Sequence, residues 1–365
     1  RIGEKDLPKG RKQIFADYIL DKRSKDIMIK GNDFYAIYNP NTGLWSTDQY
    51  EAVRLIDEEL MEAKSKYPDY KQNDISVKLL SISSTKGIDD FKKWYQRQAA
   101  DNFKMLDRKV TFKNDDVKKE DYISFKLPYE IAEGPTTAWD KLTSKLYSPE
   151  EKRKIEYAIG SIISGDSKTL QKIFIFVGDA GTGKSTIMKI IKEMFTYKEY
   201  EDKTVGYCKT IDAKAMGSSN SSFSLEPLRD NPLIAIQDDV DLSHIEDNAR
   251  LNSVISHETM LMNEKNKSQY QMRFETLIFL GSNKEVMITD ARSGLLRRIV
   301  DIEPTGNLFT RKEYDKLMND ISFEYGFIAW KCLQVYNEDP GYYNKYYPVK
   351  MIRATNRLYN FVIIY

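Results

Sequence analysis

With 365 residues the chain is longer than one average domain, and the length implies two or three. Its 41% hydrophobic content supports a sizeable core, while 30% charged residues and the lack of any long uncharged apolar run exclude a helix built to cross a bilayer. A net charge of +1 excludes a globally basic nucleic-acid binder, so any nucleic acid must be held by a local patch.

Cys208 and Cys332 are far apart and match no metal spacing, so reduced thiols are expected. His244 and His257 are too few for a metal cluster and are expected at the surface or on helix flanks. Because the chain opens on Arg1 rather than methionine, it reads as a fragment or a processed product, with upstream domains, a primase or polymerase domain among them, left open.

Residues 12–30 mix apolar and charged positions with a loosely helical spacing. The run from Asp33 to Trp45 alternates aromatics, turns at Pro40-Asn41-Thr42-Gly43 and predicts a β-hairpin. Residues 50–64 and 86–105 read as amphipathic helices. The second interleaves Phe91, Trp94, Tyr95 and Phe103 with Lys92, Lys93, Arg97 and Lys104, which fits a buried helix face better than base stacking. Residues 107–121 read as a loop or short hairpin, Tyr122–Tyr129 as extended, and Trp139–Tyr147 as helix. Ser148-Pro149-Glu150-Glu151 starts another helix, with Ser148 as N-cap, and Gly165-Asp166 ends it.

Next comes an apolar strand, Ile173–Val177, and the loop Gly178-Asp179-Ala180-Gly181-Thr182-Gly183-Lys184-Ser185 opening a helix. The loop matches G-x-x-x-x-G-K-[ST] in full. Its glycines let backbone N–H groups wrap a phosphate, and the helix N-terminus attracts the same anion. Lys184 reaches the β- and γ-phosphates, Ser185 offers a hydroxyl to Mg²⁺, and Thr186 completes the cradle, so ATP and Mg²⁺ are the expected cofactors. The strand Leu233–Gln237 ends in Asp238-Asp239. One carboxylate can hold Mg²⁺ and the other orient the attacking water; Asp238 is assigned the metal and Asp239 the water, with their order open and Asp241 a third candidate. A third strand, Thr276–Ser282, delivers Asn283 toward the γ-phosphate or the water. Arg297-Arg298 then enter an apolar run. An arginine placed on a neighbouring subunit's γ-phosphate neutralises transition-state charge, with Arg298 preferred and Arg297 second.

These four elements, within about 125 residues, resemble the superfamily 3 helicases, ring-forming AAA+-type motors of viruses, phages and plasmids. Asp121–Tyr129, Trp139-Asp140 and the helix ending at Gly165-Asp166 resemble the primase–helicases of phages, plasmids and poxviruses in particular. The Asp-Asp pair departs from relatives that carry a Glu there. The resemblance implies an α/β fold with an AAA+-type ATPase core of parallel sheet flanked by helices. It implies an N-terminal accessory α+β region over 1–105, a linker and helical collar over 106–168, the ATPase core over 169–305 and a C-terminal helical region over 306–365. It also implies a pore hairpin over 263–274 whose Lys265, Lys267, Tyr270 and Arg273 hold DNA. The implied function is ATP-dependent DNA unwinding during viral or phage replication in the host cytoplasm, by a homo-hexamer on single-stranded or forked DNA. The alternatives are a P-loop ATPase that remodels protein or packages DNA, and a small-molecule kinase. After Pro304 the chain reads as helical, with a tyrosine-rich stretch, Tyr342–Tyr347, read as core packing rather than base stacking.

Overall fold

The computed structural model describes residues 2–7, 11–16, 27–31, 34–48, 50–55, 58, 76–78, 93, 95–97, 99–200, 203–213, 225–240, 248–262, 270–284 and 294–355. The chain divides into two units, one of residues 1–107 with 117–124, the other of 108–116 with 125–365.

In the first unit, β1 (Ile2–Leu7) pairs antiparallel with β2 (Arg11–Ala16). The spacing over 12–30 therefore misleads: its first residues form a strand, because pairing with β1, Glu4 opposite Ile14 and Ile2 opposite Ala16, decides the backbone and a helical reading of one segment ignores it. A second sheet holds β3 (Met28–Lys30), β4 (Tyr35–Asn39) and β5 (Leu44–Ser46), which is the expected hairpin plus one strand. Trp45 is buried there, stacked on Tyr122, and its indole N–H donates to the Lys119 carbonyl at 2.8 Å. Strand β6 (Ser76–Lys78) joins β2 in parallel, and residues 51–55 are helical.

Strands β7 (Asp107–Thr111) and β8 (Ile123–Lys126) make a two-stranded ribbon. Helices α1 (Thr137–Leu146) and α2 (Pro149–Ser164) follow, with one further helical turn at Ser167–Leu170. The hydroxyl of Ser148 accepts from the Glu151 N–H, and Gly165 closes α2 at φ +84°, a conformation glycine adopts without strain. Then come β9 (Ile173–Val177), α3 (Lys184–Met194), β10 (Thr196–Tyr200), β11 (Lys203–Gly206), β12 (Cys208–Thr210) and β13 (Ile234–Gln237). They are followed by α4 (Asn248–Ile255), β14 (Thr259–Met262), β15 (Tyr270–Arg273), β16 (Leu277–Ser282), β17 (Ile299–Ile302), α5 (Arg311–Glu338) and α6 (Val349–Thr355).

The centre of this unit is a five-stranded parallel sheet, ordered β12-β13-β16-β9-β17. Both faces are covered, as near-continuous apolar strands require. Phe174 and Phe176 of β9 pack with α2, α3 and α5, whereas Ile173 and Ile175 pack with α4. The tyrosine-rich stretch packs as expected in part: Tyr343 is buried, while Tyr342 and Tyr347 are exposed.

Helices α2 and α5 lie so close that a Cβ on Gly160 would fall 2.1 Å from the Cys332 carbonyl oxygen and 2.6 Å from Tyr336 Cβ. Gly160→Val is therefore expected to lower stability by about 1–3 kcal/mol through overpacking, read as a drop in the denaturant midpoint.

Candidate functional site

The site forms at the carboxyl edge of the sheet. The connection from β9 runs to β12 on one side, while that from β16 passes over β9 to β17 on the other. Such a switch point between neighbouring strands opens a crevice at their carboxyl ends. The glycine loop leaves β9 there, and Gly178 N–H donates to the Ser282 carbonyl of β16. Gly183, the residue before α3, has φ +100°, and a Cβ on it would lie 2.9 Å from Leu146 Cδ1, so geometry and space both call for glycine.

Lys184 is buried, and its ammonium donates to the Gly178 carbonyl at 2.6 Å, the Asp179 carbonyl at 2.8 Å and Asn283 Oδ1 at 2.9 Å. Asn283 Nδ2 in turn donates to Asp239 Oδ1 at 2.5 Å. The structure thus joins the loop lysine, the Asn of β16 and an acid of β13 in one chain. Burial lowers the Lys184 pKa, and Asp238, Asp239 and Asp179 oppose that shift. Asp239 stands at φ +61°, a conformation aspartate tolerates better than most residues. Gly281 makes room beside these acids: a Cβ there would meet Met188 Cε at 2.8 Å and Asp238 Oδ1 at 3.0 Å. Ser185, Asp238, Asp239 and Asn283 are all exposed at this edge, as are Asp179, Ala180 and Gly181, while Thr182 and Thr186 are half-buried. Asp241 lies outside the described residues.

A cleft of about 250 Å³ opens beside the loop. Its lining includes Gly178, Asp179 and Asn283, together with Asp301, Glu303 and Lys350. Lys350 is ion-paired with Glu303. Sequence reasoning missed these last three. Asp301 and Glu303 did leave a signal, since they alternate with Val300 and Ile302 along β17 and just past its end; Lys350 left none.

Arg297 and Arg298 stand elsewhere. They lie in a 3-10 turn, Leu296–Arg298, that enters β17, and Ile299 pairs with Ile173 at the start of β9. The glycine loop begins after Val177, so the arginines are at the opposite edge, about four strand residues or ~13 Å along the sheet. Arg298 is buried and donates to Ser256 Oγ at 2.7 Å and the Gly294 carbonyl at 2.9 Å. Burial, then the neighbouring Arg297 charge, lowers its pKa. Arg297 is exposed.

Strands β14 and β15 pair antiparallel, Thr259 opposite Arg273 and Met262 opposite Tyr270. Lys265 and Lys267 lie outside the described residues. Arg273 is half-exposed, 3.7 Å from Glu275. At the foot of this hairpin His257 flanks the end of α4, one of the two places expected for it, but it does not face the surface. It is buried, with its ring nitrogens 2.8 Å from the Phe274 carbonyl and 3.1 Å from that of Ser167, so two buried backbone carbonyls find their partner in one ring.

A model of a family of unknown function, DUF5906, matches residues 176–298. No curated protein matches the chain in sequence. Among solved structures, the apo C-terminal region of NrS-1 is similar at 19% identity and a TM-score of 0.44, over 64% of this chain and 57% of that one. A second form of the same region matches at 18% identity and 0.44, with the same coverage. The chain thus spans little more than half the length of those structures.

Two stability outcomes follow from the arginine geometry. Arg298→Ala, which strands a half-buried hydroxyl and carbonyl, is expected to cost about 1–3 kcal/mol. Arg297→Ala is expected to stay within about 0.5 kcal/mol of the parent in the same urea titration.

Proposed function

We propose that the chain is the motor part of a superfamily 3 helicase of a phage or virus, which hydrolyses ATP between neighbouring copies of a ring and moves along single-stranded DNA. The single observation that carries this is the chain Lys184–Asn283–Asp239 at the mouth of the glycine loop, since nucleotide hydrolysis needs a cation, a polar amide and a carboxylate around one phosphate.

In this reading the loop 178–183 and the N-terminus of α3 hold the β- and γ-phosphates through backbone N–H groups, and Lys184 moves its ammonium onto them. Thr186 stands behind the loop in the first turn of α3. Ser185 and Asp238 fit Mg²⁺, a hard cation that takes hydroxyl and carboxylate oxygens. Bound there, Mg²⁺ would offset charge on the phosphate oxygens. Asp239 orients the attacking water and accepts its proton as the oxygen bonds to the γ-phosphorus and ADP leaves. Asn283 touches both Lys184 and Asp239 and so links phosphate contact to water positioning. The arginine acts from the neighbouring copy, because in its own chain it lies at the far edge of the sheet. Arg298 is the choice by sequence. What supports Arg297 instead is that Arg298 already bonds Ser256 and Gly294, while Arg297 is exposed. The β14–β15 hairpin would present Lys265, Lys267, Tyr270 and Arg273 to DNA phosphates, which suits movement over any sequence. A six-membered ring, forked DNA as the substrate and the host cytoplasm as the place of action belong to the same proposal.

Lys184→Ala is expected to reduce ATP turnover by at least about 10³-fold and abolish strand displacement; turnover at the parent rate, or full turnover by a chain that stays monomeric with nucleotide and fork, refutes the reading. Lys265→Ala with Lys267→Ala is expected to weaken single-strand binding and to flatten its dependence on log salt by about 0.7 for each phosphate no longer held. An unchanged slope removes the hairpin from the DNA path.

A further inference from the structure

Lys172 directly precedes β9 and is only 5% exposed. Its ammonium donates to the Arg297 carbonyl, with a longer approach of 3.5 Å to the Tyr346 carbonyl. No carboxylate among the described residues forms an ion pair with Lys172, Arg297 or Arg298, although Glu258 exerts a weaker pull on Arg298. Burial first, and then the Arg297 and Arg298 charges, bring the Lys172 pKa down to about 8. A buried cation beside two others costs free energy unless its donors find acceptors, and here the carbonyl of the arginine turn is the nearer of the two it has.

The turn Leu296–Arg298 is therefore held from two sides. Arg298 anchors it with its own guanidinium on Ser256 and Gly294, and Lys172 anchors it at the Arg297 carbonyl. The Arg297 side chain alone is left to project. Fixing the backbone beneath a long side chain cuts the ordering cost of placing its head group.

We propose that Lys172 is a positioning residue that fixes the Arg297 turn, so that the Arg297 guanidinium meets the triphosphate held by the adjacent copy of the chain. This rests on the ring reading above. Lys172 stands at the base of the strand that carries the glycine loop, yet its action is on the neighbour's nucleotide rather than its own.

The test uses the full chain with ATP and single-stranded DNA. Lys172→Gln is expected to keep affinity for a non-hydrolysable ATP analogue and the KM within about twofold while kcat falls about tenfold, and Lys172→Arg to recover most of the loss. Mixing Lys172→Gln with Lys184→Ala chains is expected to restore part of the turnover, since one supplies an intact loop and the other an intact arginine turn. Lost analogue affinity, or no restoration on mixing, makes Lys172 a support of its own loop and overturns the proposal. Arg297→Ala separates the two levels. If it turns over ATP at the parent rate, the trans arrangement fails and the proposal with it; if it is slow while Lys172→Gln is unimpaired, only the role of Lys172 falls.

Discussion

The register of β13, β16 and β9 is the constraint on which the rest of the second unit depends. Gln237 lies opposite Leu280, and Val177 opposite Ser282, so the acids after β13, the amide after β16 and the glycine loop after β9 emerge side by side. In a sheet buried on both faces, polarity cannot specify that register. Size does so instead: Phe174, Phe176 and Phe279 fall on one face, Ile173, Ile175 and Ile278 on the other. A slip of one residue would exchange rings for branched aliphatics throughout two cores packed to solid density, and would carry Asn283 away from Lys184.

What the chain discloses before folding is what local physics dictates. The helix after Ser148 was legible because an N-cap, a proline in the first turn and a closing glycine all act within a few residues of the backbone they affect. The glycine loop was legible because strand, loop and helix are contiguous. Strand β2 was not, since Arg11, Lys12 and Gln13 suit either periodicity and the partner strand decides. Nor was the burial of His257, whose environment is set by carbonyls of Ser167 and Phe274, far from it in sequence. Lys172 and Lys350 were hidden for the same reason: each is defined by a neighbour that only the folded chain supplies.

Three charged groups at the helices beside the sheet, Lys154, Asp140 and Glu156, follow one logic. Lys154 is almost fully buried and is met by Glu151, the Asp301 carbonyl and the Tyr346 hydroxyl. Asp140 receives Lys152, Lys331 and Thr136; burial pushes its carboxyl up, and these hydrogen bonds prevail and bring it down to about 2. Glu156 accepts the Trp139 indole N–H at 2.9 Å and lies within 4 Å of both lysines. Each of these three is thus matched by several partners, the condition under which a charge away from water is tolerated. Together they bind α1, α2 and α5 into one block beside the sheet.

The near-contact of α2 with α5 at Gly160 has a mechanical corollary. Two rods in backbone-to-side-chain touch cannot slide without one climbing over the other, so they act as a single stiff beam. The beam is clamped again further along, where the Tyr157 hydroxyl meets the Pro340 carbonyl and Arg153 meets Glu338. Just ahead of the first turn of α2, Tyr147 closes α1, and its hydroxyl donates to the Gly183 carbonyl at 3.3 Å. A load applied to the long C-terminal rod therefore has a short covalent and hydrogen-bonded route to Gly183, the last residue of the glycine loop before α3.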